Sequence, residues 1–208
     1  MWSIFIGRSK LWMLSPDFDN ADPYWTGHFD ALRKGGLSHI GFNCFVRPQF
    51  GIGVRVTDGS WTRTSERLPV YFTNSYGALD STALVDVETS VGLVTVAPAI
   101  VLRLSQPTDP AILTVTLSGG IAWYVEEHSL GEERQLFGGE SLFASVSAGL
   151  DLRLGKYMTL GLNAAYSVST LDRLKVAAWT DPDQRLLRPE ATIGLRRATL
   201  GLQLGVVF

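Results

Sequence analysis

The sequence predicts an all-β protein in which eight antiparallel strands, connected up and down, close into one transmembrane barrel. Three observations predict this fold. Long stretches alternate between apolar and small polar residues, the polar side of these stretches carries few charges, and short connections alternate with long ones. The alternating stretches and their connections cover residues 1–208, which we interpret as a single domain.

The composition excludes several classes of protein. A net charge of −2 and a pI of about 5.9 leave no basic surface of the kind that binds nucleic acid. The single cysteine, Cys44, excludes an intrachain disulfide and a cysteine-based zinc site. The longest apolar run, Val91–Leu102, contains Pro98 and is shorter than the ~18 residues that a membrane helix needs. The apolar residues are therefore distributed over many stretches of period two.

The alternation is clearest at the end of the chain, in Thr199–Phe208. Its apolar side carries Leu200, Leu202, Leu204, Val206 and Phe208. The same period recurs in Ala111–Glu126, Ser141–Leu154 and Tyr157–Ser169. Each stretch has one continuously apolar face and one face of Ser, Thr, Gly and Asn. A soluble sandwich places charged residues outside, whereas these polar faces have too few charges for that. The polar faces therefore predict the lining of a narrow interior, and the apolar faces predict contact with lipid.

The connections give a second, independent indication. Three are short: Arg47–Gln49, Ser105–Pro110 and Gly155–Lys156. Four are long and polar: Leu14–Gly36, Thr64–Leu84, Glu127–Gly138 and Asp172–Arg188. Short and long connections alternate throughout, as in barrels that have short turns at one rim and longer loops at the other.

Eight strands follow from this division, and both chain termini then lie at the rim of the short turns. Their expected bounds are Trp2–Trp12, Leu37–Val46, Phe50–Thr62, Val85–Leu104, Ala111–Glu126, Ser141–Leu154, Tyr157–Leu171 and Glu190–Phe208. The fourth strand changes phase near Leu93–Val94, which predicts a β-bulge there. The last strand changes phase above Ala198.

The alternating final strand that ends in Phe208 resembles the C-terminal signature of bacterial outer-membrane barrels. With the strand and loop layout, the whole chain resembles the small eight-stranded barrels of the OmpA, OmpX and OmpW type. The resemblance implies a bacterial outer-membrane location, contact with membrane lipids and lipopolysaccharide, and recognition of the last strand by the barrel-assembly machinery. No signal peptide is visible in Met1–Leu14, so either the protein stays in the cytoplasm or this numbering begins after a removed leader. The missing leader is the one departure from the resemblance, since such barrels are exported.

Aromatic residues are expected to form two girdles at the membrane interfaces. Phe50, Tyr157 and Phe208 are assigned to the periplasmic girdle by their place beside the short turns. Trp12, Trp123 and Tyr166 are assigned to the outer girdle.

The sequence predicts no catalytic, cofactor-binding or metal-ligating residue. Ser38 and His39 are adjacent, so their side chains leave a strand on opposite faces. Glu126, Glu127 and His128 cluster with no nucleophile beside them in the sequence. The acidic segment Asp17–Asp22 lacks the glycine and the terminal glutamate of a calcium-binding loop.

Four charged residues are expected to point into the lumen by their phase: Arg55, Arg103, Asp151 and Arg153. An eight-stranded barrel is barely wide enough for its own side chains. We expect these charges to pair with one another and fill the bore; the alternative is the lining of a gated pore.

Arg196 and Arg197 lie 12 and 11 residues before Phe208 in the closing strand. This places them about 30 Å above Phe208, just beyond an apolar band of about 25 Å. There they can contact lipopolysaccharide phosphates; the alternative is a solvated rim or pairing with an acid such as Glu88.

The pattern as a whole favours a non-enzymatic barrel whose outer loops bind a partner or stabilise the envelope. Exposed aromatic residues in these loops would serve a protein partner: Tyr24, Trp25, Tyr71, Phe72 and Trp179. A channel for small or hydrophobic solutes is the alternative, and a lipid-modifying enzyme is less favoured.

Overall fold

The computed structural model describes residues 1–14, 27–28, 31–73, 79–106, 108–130, 133–171, 175–179 and 193–208. These residues form nine β-strands: β1 Trp2–Met13, β2 Lys34–Arg47, β3 Phe50–Thr73, β4 Leu79–Arg103, β5 Ala111–Leu130, β6 Glu133–Arg153, β7 Met158–Leu171, β8 Lys175–Trp179 and β9 Ile193–Val207. No helix among the described residues has the length and apolar character needed to cross a bilayer.

Eight of the strands form a closed antiparallel ring, which confirms the predicted fold. Each of β1 to β6 pairs with the next strand in the chain, β9 pairs with both β7 and β1, and the ring is thereby complete. At the closing seam, Trp2 and Phe208 exchange two backbone hydrogen bonds of 3.1 and 2.9 Å. The short strand β8 pairs only with the part of β6 that begins at Gln135, and it lies outside the ring.

The register of the ring fixes the tilt of the strands. One row of paired residues circles the barrel through Leu150, Leu162, Leu202, Arg8, Ser38, Asp58, Val94, Trp123 and Glu140. It leaves β6 at Leu150 and returns to β6 at Glu140, ten residues nearer the rim of the long connections. Such a stagger in eight strands corresponds to a tilt of about 40°. The row climbs toward that rim, which we name the loop rim; the other is the turn rim.

The two faces of the wall are divided as the alternation predicts. The outward leucines and valines are exposed, and the side chain of Leu142 reaches 76% exposure. The inward polar residues Thr116, Ser147, Asn163 and Gln203 are buried. All six residues assigned to the two aromatic girdles lie on the outward face, and Trp12 is half-buried there.

Two connections predicted as long loops are strands instead. β3 continues to Thr73 and β4 begins at Leu79, so most of Thr64–Leu84 is a paired hairpin. Likewise β5 and β6 pair as far as Leu130 and Glu133, within the predicted loop Glu127–Gly138. The segments are polar because they extend past the apolar band of the wall, and their backbone pairing is uninterrupted by that change in composition.

The predicted β-bulge at Leu93–Val94 is wrong. Leu93 pairs with Gly59 and Val94 with Asp58 without a register shift. The apparent phase change has another cause, since Val87, Val91 and Leu93 point inward and are apolar. Both faces of β4 are apolar here, and this gives the sequence the appearance of a change of phase. Similarly, pairing of β9 with β7 is continuous through Ala198. The register of β3 with β4 shifts instead between Ser65 and Leu68, around Arg67, which has a φ of 55°.

Candidate functional site

The turn-rim half of the lumen is filled by hydrogen-bonded polar side chains centred on Arg55. Its guanidinium donates to Thr116 Oγ1 at 2.7 Å and to Ser147 Oγ at 3.3 Å. It also lies over the ring of Phe5, 5.0 Å from the ring centre. These contacts link β1, β3, β5 and β6 across the bore. The arginine therefore serves as a strut between opposite walls.

The acidic residue near this strut, Asp151, has other contacts than the sequence predicts. Asp151 accepts a hydrogen bond of 2.8 Å from Gln203 Nε2. Among the described ion pairs, none within 4.0 Å joins Asp151 to Arg55 or to Arg103. Hydroxyls, aromatic rings and a carbonyl are the direct contacts of these two arginines, and Asp151 attracts both of them electrostatically over a longer distance. Arg153 is half-buried on the same inward face.

Arg103 lies at the turn rim itself. Its guanidinium stacks 3.9 Å from the centre of the Phe45 ring and donates to the carbonyl of Pro48 at 3.3 Å. A third contact of 3.3 Å reaches the sulfur of Met1. The side chain thus covers the bore where β2 turns into β3.

Two cavities lie among those polar side chains that the structure describes. One of about 70 Å³ borders His39, Arg55 and Thr57. Another of about 40 Å³ borders Asn43, Asp151 and Gln203. Both cavities are bordered by polar side chains and have room for several hydrogen-bonded water molecules.

The loop-rim half of the lumen is filled by an apolar cluster, here called the apolar plug. It consists of Leu11, Leu32, Leu37, Trp61, Val91, Leu93, Ala97, Ala122, Tyr124 and Phe143. Leu32 comes from the first connection, and its carbonyl accepts a hydrogen bond of 2.8 Å from Trp61 Nε1. The end of that connection therefore packs into the barrel and contributes to its closure.

A chain of buried polar side chains lies beside the plug, and we name it the mouth cluster: His28, Ser65, Thr89, Tyr124, Glu126 and His128. His28 Nδ1 lies 2.7 Å from Ser65 Oγ, and His28 Nε2 lies 2.8 Å from Thr89 Oγ1. Thr89 Oγ1 is also 2.8 Å from His128 Nδ1. The chain ends at Glu126, whose carboxylate lies 2.6 Å from His128 Nε2 and 2.7 Å from the Tyr124 hydroxyl.

The direction of each bond in the mouth cluster follows for a carboxylate at Glu126 and neutral imidazoles at His28 and His128, since a carboxylate only accepts. Neutral His128 then donates through Nε2 and accepts the Thr89 hydroxyl proton at Nδ1. Thr89 in turn accepts from His28 Nε2, and His28 Nδ1 accepts from Ser65. Both imidazoles are satisfied in the neutral state, and the chain joins the first connection to β3, β4 and β5.

Burial decides what the mouth cluster can do chemically. A hydroxyl, an imidazole and a carboxylate in series are the groups that activate nucleophiles in hydrolases. Here, however, Thr89 is 0% exposed and Glu126 is 1% exposed, so a substrate has no approach to that hydroxyl in this conformation. The arrangement fixes the first connection to the wall. Within the described part of the chain, no group of three or more His, Cys, Asp or Glu residues is placed to hold a metal ion.

The titration of His28 provides a measurable sign of this burial. Desolvation and, to a smaller extent, nearby His128 lower the pKa of His28 from 6.5 to about 4, and Glu126 partly opposes this. Between pH 6.5 and 4 the unfolded chain therefore binds a proton that the folded chain excludes. The stability from neutral His28 is complete above pH 6.5 and falls by about 3 kcal/mol as the pH approaches 4.

We expect the imidazole NMR signal of His28 in detergent micelles to titrate with a midpoint near 4, since burial disfavours its charged form. The signal is assigned by its loss in His28→Gln. A midpoint at 6.5, the value of a solvated histidine, would show that the first connection does not pack as described.

The paired arginines of β9 point to opposite sides of the wall. Arg196 is exposed on the outward face. Arg197 is only 6% exposed, with its guanidinium 5.4 Å from the centre of the Phe143 ring inside the barrel. Arg197 therefore cannot reach a phosphate outside, which corrects the expectation for that residue. The two arginines face opposite sides because they are consecutive residues of a strand, and β9 is a regular strand in this part.

Other predicted residues lie in different places or outside the description. Ser38 is exposed outside, whereas His39 points inward, 3.4 Å from Ser9 Oγ. Asp17–Asp22, Tyr24 and Trp25 lie outside the described residues. The backbones of Tyr71, Phe72 and Trp179 belong to strands, but their side chains are outside the description.

Sequence reasoning missed the mouth cluster. Glu126 and His128 were recognised as neighbours, but their partners Thr89 and His28 are distant in the chain. The available signal was the spacing of Thr89, Glu126 and His128, all of which share the inward parity of their strands near the loop rim.

Comparison with known proteins rests on structure alone, since no protein-family model and no curated protein sequence matches. Neisserial surface protein A superimposes with a TM-score of 0.54 at 12% identity, over 100% of this chain and 97% of its own. Ail, the attachment invasion locus protein of Yersinia pestis, gives 0.55 at 15% identity over 100% and 97%. The outer membrane protease OmpT from Escherichia coli gives 0.51 at 8% identity over 100% and 95%.

The fold is that of the small outer-membrane β-barrels. The three neighbours include a surface protein, an attachment protein and a protease. At these identities the likeness establishes the fold and leaves the activity to be argued from the site.

Proposed function

We propose that the protein is a non-enzymatic bacterial outer-membrane barrel with a structural or partner-binding role at its outer end. One observation carries this proposal: the described interior is filled by polar struts, the apolar plug and the mouth cluster. A filled bore supports neither a wide channel nor an open catalytic pocket. The apolar outward face supports a membrane location, because its leucines and valines would otherwise be exposed to water.

The long strands favour the outer end as the interacting part. β3 extends twelve residues beyond Trp61, to Thr73, which adds about 30 Å of height at the tilt of this barrel. β4, β5 and β6 extend with it, and β8 adds to the edge of β6. A paired sheet above the membrane offers a partner a rigid surface, whereas free loops would have to be ordered on binding.

Lipids of the outer leaflet are the second class of partner. Arg196 is exposed about 30 Å above Phe208, at the level of lipid headgroups. A guanidinium there is suited to phosphate oxygens. In biogenesis, the regular β9 strand, which closes the ring, is the segment that we assign to the barrel-assembly machinery.

Planar-bilayer recording tests the filled interior. We expect no steady conductance from the purified barrel, with a large porin in the same bilayers as the positive control. Steady single-channel steps would instead support the solute channel. A change in the mass of lipid A in cells that express the protein would support a lipid-modifying enzyme and contradict a non-enzymatic role.

A further inference from the structure

The apolar band on the outside of the barrel is not equally tall around the ring. On β6 every outward residue from Leu154 up to Leu142 is apolar: Leu154, Leu152, Leu150, Ala148, Val146, Ala144 and Leu142. On β1 only Trp2, Ile4 and Ile6 are apolar before Arg8 and Lys10 appear, both exposed. The wall around β1 therefore has about half the apolar height of the opposite wall.

The residues that interrupt the band form one patch, which we name the polar wall sector: Arg8, Lys10, Gly36, Ser38, Asp58 and Ser60. All six are exposed on the outward faces of β1, β2 and β3. Arg8, Ser38 and Asp58 are direct neighbours in one row of the register. Arg8 lies six residues above Trp2, or about 15 Å at about 2.5 Å of height per residue. It therefore lies near the middle of a band of about 25 Å.

The charges of this sector form no ion pair with one another in the part of the chain that the structure describes. Among the described ion pairs, none joins Arg8 or Lys10 to Asp58. The small residues between them leave a groove that is bordered by Leu162, Leu200 and Leu202 on the neighbouring strands. Hydrocarbon offers no partner to these charges, so lipid alone is a poor covering for this sector.

The positions of the charges suit a two-fold axis parallel to the barrel axis. Lys10 lies two residues above Arg8, which adds about 5 Å of height. Asp58 lies in the same row of paired residues as Arg8, two strands further on. Because this row climbs toward the loop rim, Asp58 is about 6 Å higher than Arg8. Lys10 and Asp58 are therefore at nearly equal heights on opposite sides of Ser38. A two-fold rotation preserves height and exchanges left with right, so each Lys10 would face Asp58 of a second copy.

We infer that the polar wall sector is the interface for a second copy of this chain in the membrane. Two reciprocal pairs between Lys10 and Asp58 remove charge from lipid, and the small Gly36, Ser38 and Ser60 permit close approach of the two walls. Arg8 lies lower and near the axis, within reach of either aspartate. The inference rests on the proposed membrane location. It adds a second copy of the chain, bound at the wall of the barrel, to the partner proposed for the outer end.

Charge reversal tests the interface. In phosphatidylcholine vesicles, Lys10→Glu and Asp58→Lys are each expected to weaken dimer formation at least about tenfold, because each places like charges opposite one another. The double variant Lys10→Glu/Asp58→Lys restores opposite charges and should recover the dimer. The oligomeric state is counted by single-molecule photobleaching over a range of protein-to-lipid ratios.

A cysteine pair locates the contact. Cys44 is first replaced by Ser, since it is free and also lies on the outward parity of β2. Ser38→Cys is then expected to form an intermolecular disulfide. Ala144→Cys is the matched control and should form none, because it faces outward on β6, four strands from β2 in either direction.

Heat-modifiable migration on SDS gels first establishes that each variant is folded, so failure of the barrel is distinguished from failure of the interface. A wild-type protein that is monomeric at every ratio would overturn the inference. So would a dimer that is indifferent to both single reversals, or a double variant that stays monomeric. The protein could instead stay monomeric while its polar wall sector becomes shielded from water-soluble reagents only when anionic lipid is added. That result would identify a lipid as the occupant of the sector.

Discussion

Replacing His128 with Leu is expected to lower the free energy of unfolding by about 3 kcal/mol, because it removes a close hydrogen-bond donor from a buried carboxylate. Glu126 is 1% exposed and lies 2.6 Å from His128 Nε2. Tyr124 still donates to the other carboxylate oxygen, but that hydrogen bond does not replace the one lost with His128. The same change removes the acceptor of the Thr89 hydroxyl. Reversible unfolding in guanidinium from lipid vesicles measures the effect.

The chain offers a matched control in the neighbouring residue. Glu127 forms an ion pair of 3.5 Å with Arg134; the Arg134 side chain is exposed and that of Glu127 is partly exposed. Glu127→Gln should therefore change the free energy of unfolding by less than about 1 kcal/mol. The double variant Glu126→Leu/His128→Leu removes both partners and should recover part of the loss. Equal effects of His128→Leu and Glu127→Gln would contradict the buried cluster.

Introducing Arg at Val146 should destabilise the barrel by about 2–4 kcal/mol, the cost of that side chain near the bilayer midplane. Val146 faces outward on β6, between Leu117 and Tyr166 on the neighbouring strands. It lies near the middle of the apolar series that runs from Leu154 to Leu142. The same unfolding measurement applies.

Glu140→Arg is the control for depth, since Glu140 is exposed on the same face of the same strand, six residues nearer the loop rim. At that height Arg should cost about 0–1 kcal/mol. If Val146→Arg were as mild as Glu140→Arg, the outward face of β6 would not be in hydrocarbon.

The strands and their facing were predictable because lipid imposes one simple pattern. Each outward position on β6 and β9 must be apolar at this depth, so Leu142 and Leu202 reveal the period without any knowledge of the fold. The inward face obeys no such rule. Val91 and Leu93 are apolar inside, where a polar lining was expected, and this produced the wrong bulge.

Contacts between distant segments were not predictable in the same way. His28 meets Thr89 across 61 residues of sequence, and the first connection carries no periodicity that would place it in the bore. The sides taken by Arg196 and Arg197 follow from the period, whereas the stacking of Arg197 on Phe143 depends on the width of the barrel. The polar wall sector was visible as two charges in β1, but its meaning required the register that joins Arg8 to Ser38 and Asp58.

A spin-label scan of Thr199–Gly205 in vesicles, in a Cys44→Ser background, tests the central claim of a lipid-embedded barrel with a filled interior. At Leu200, Leu202 and Leu204, which are exposed on the outward face, labels should collide with oxygen dissolved in lipid and be shielded from a water-soluble nickel reagent. At Thr199, Gly201, Gln203 and Gly205 both collision rates should be low, because these positions face the packed lumen. Alternation with this phase is the predicted result. Access of the nickel reagent to the three leucines, or an absence of alternation along the strand, would contradict it.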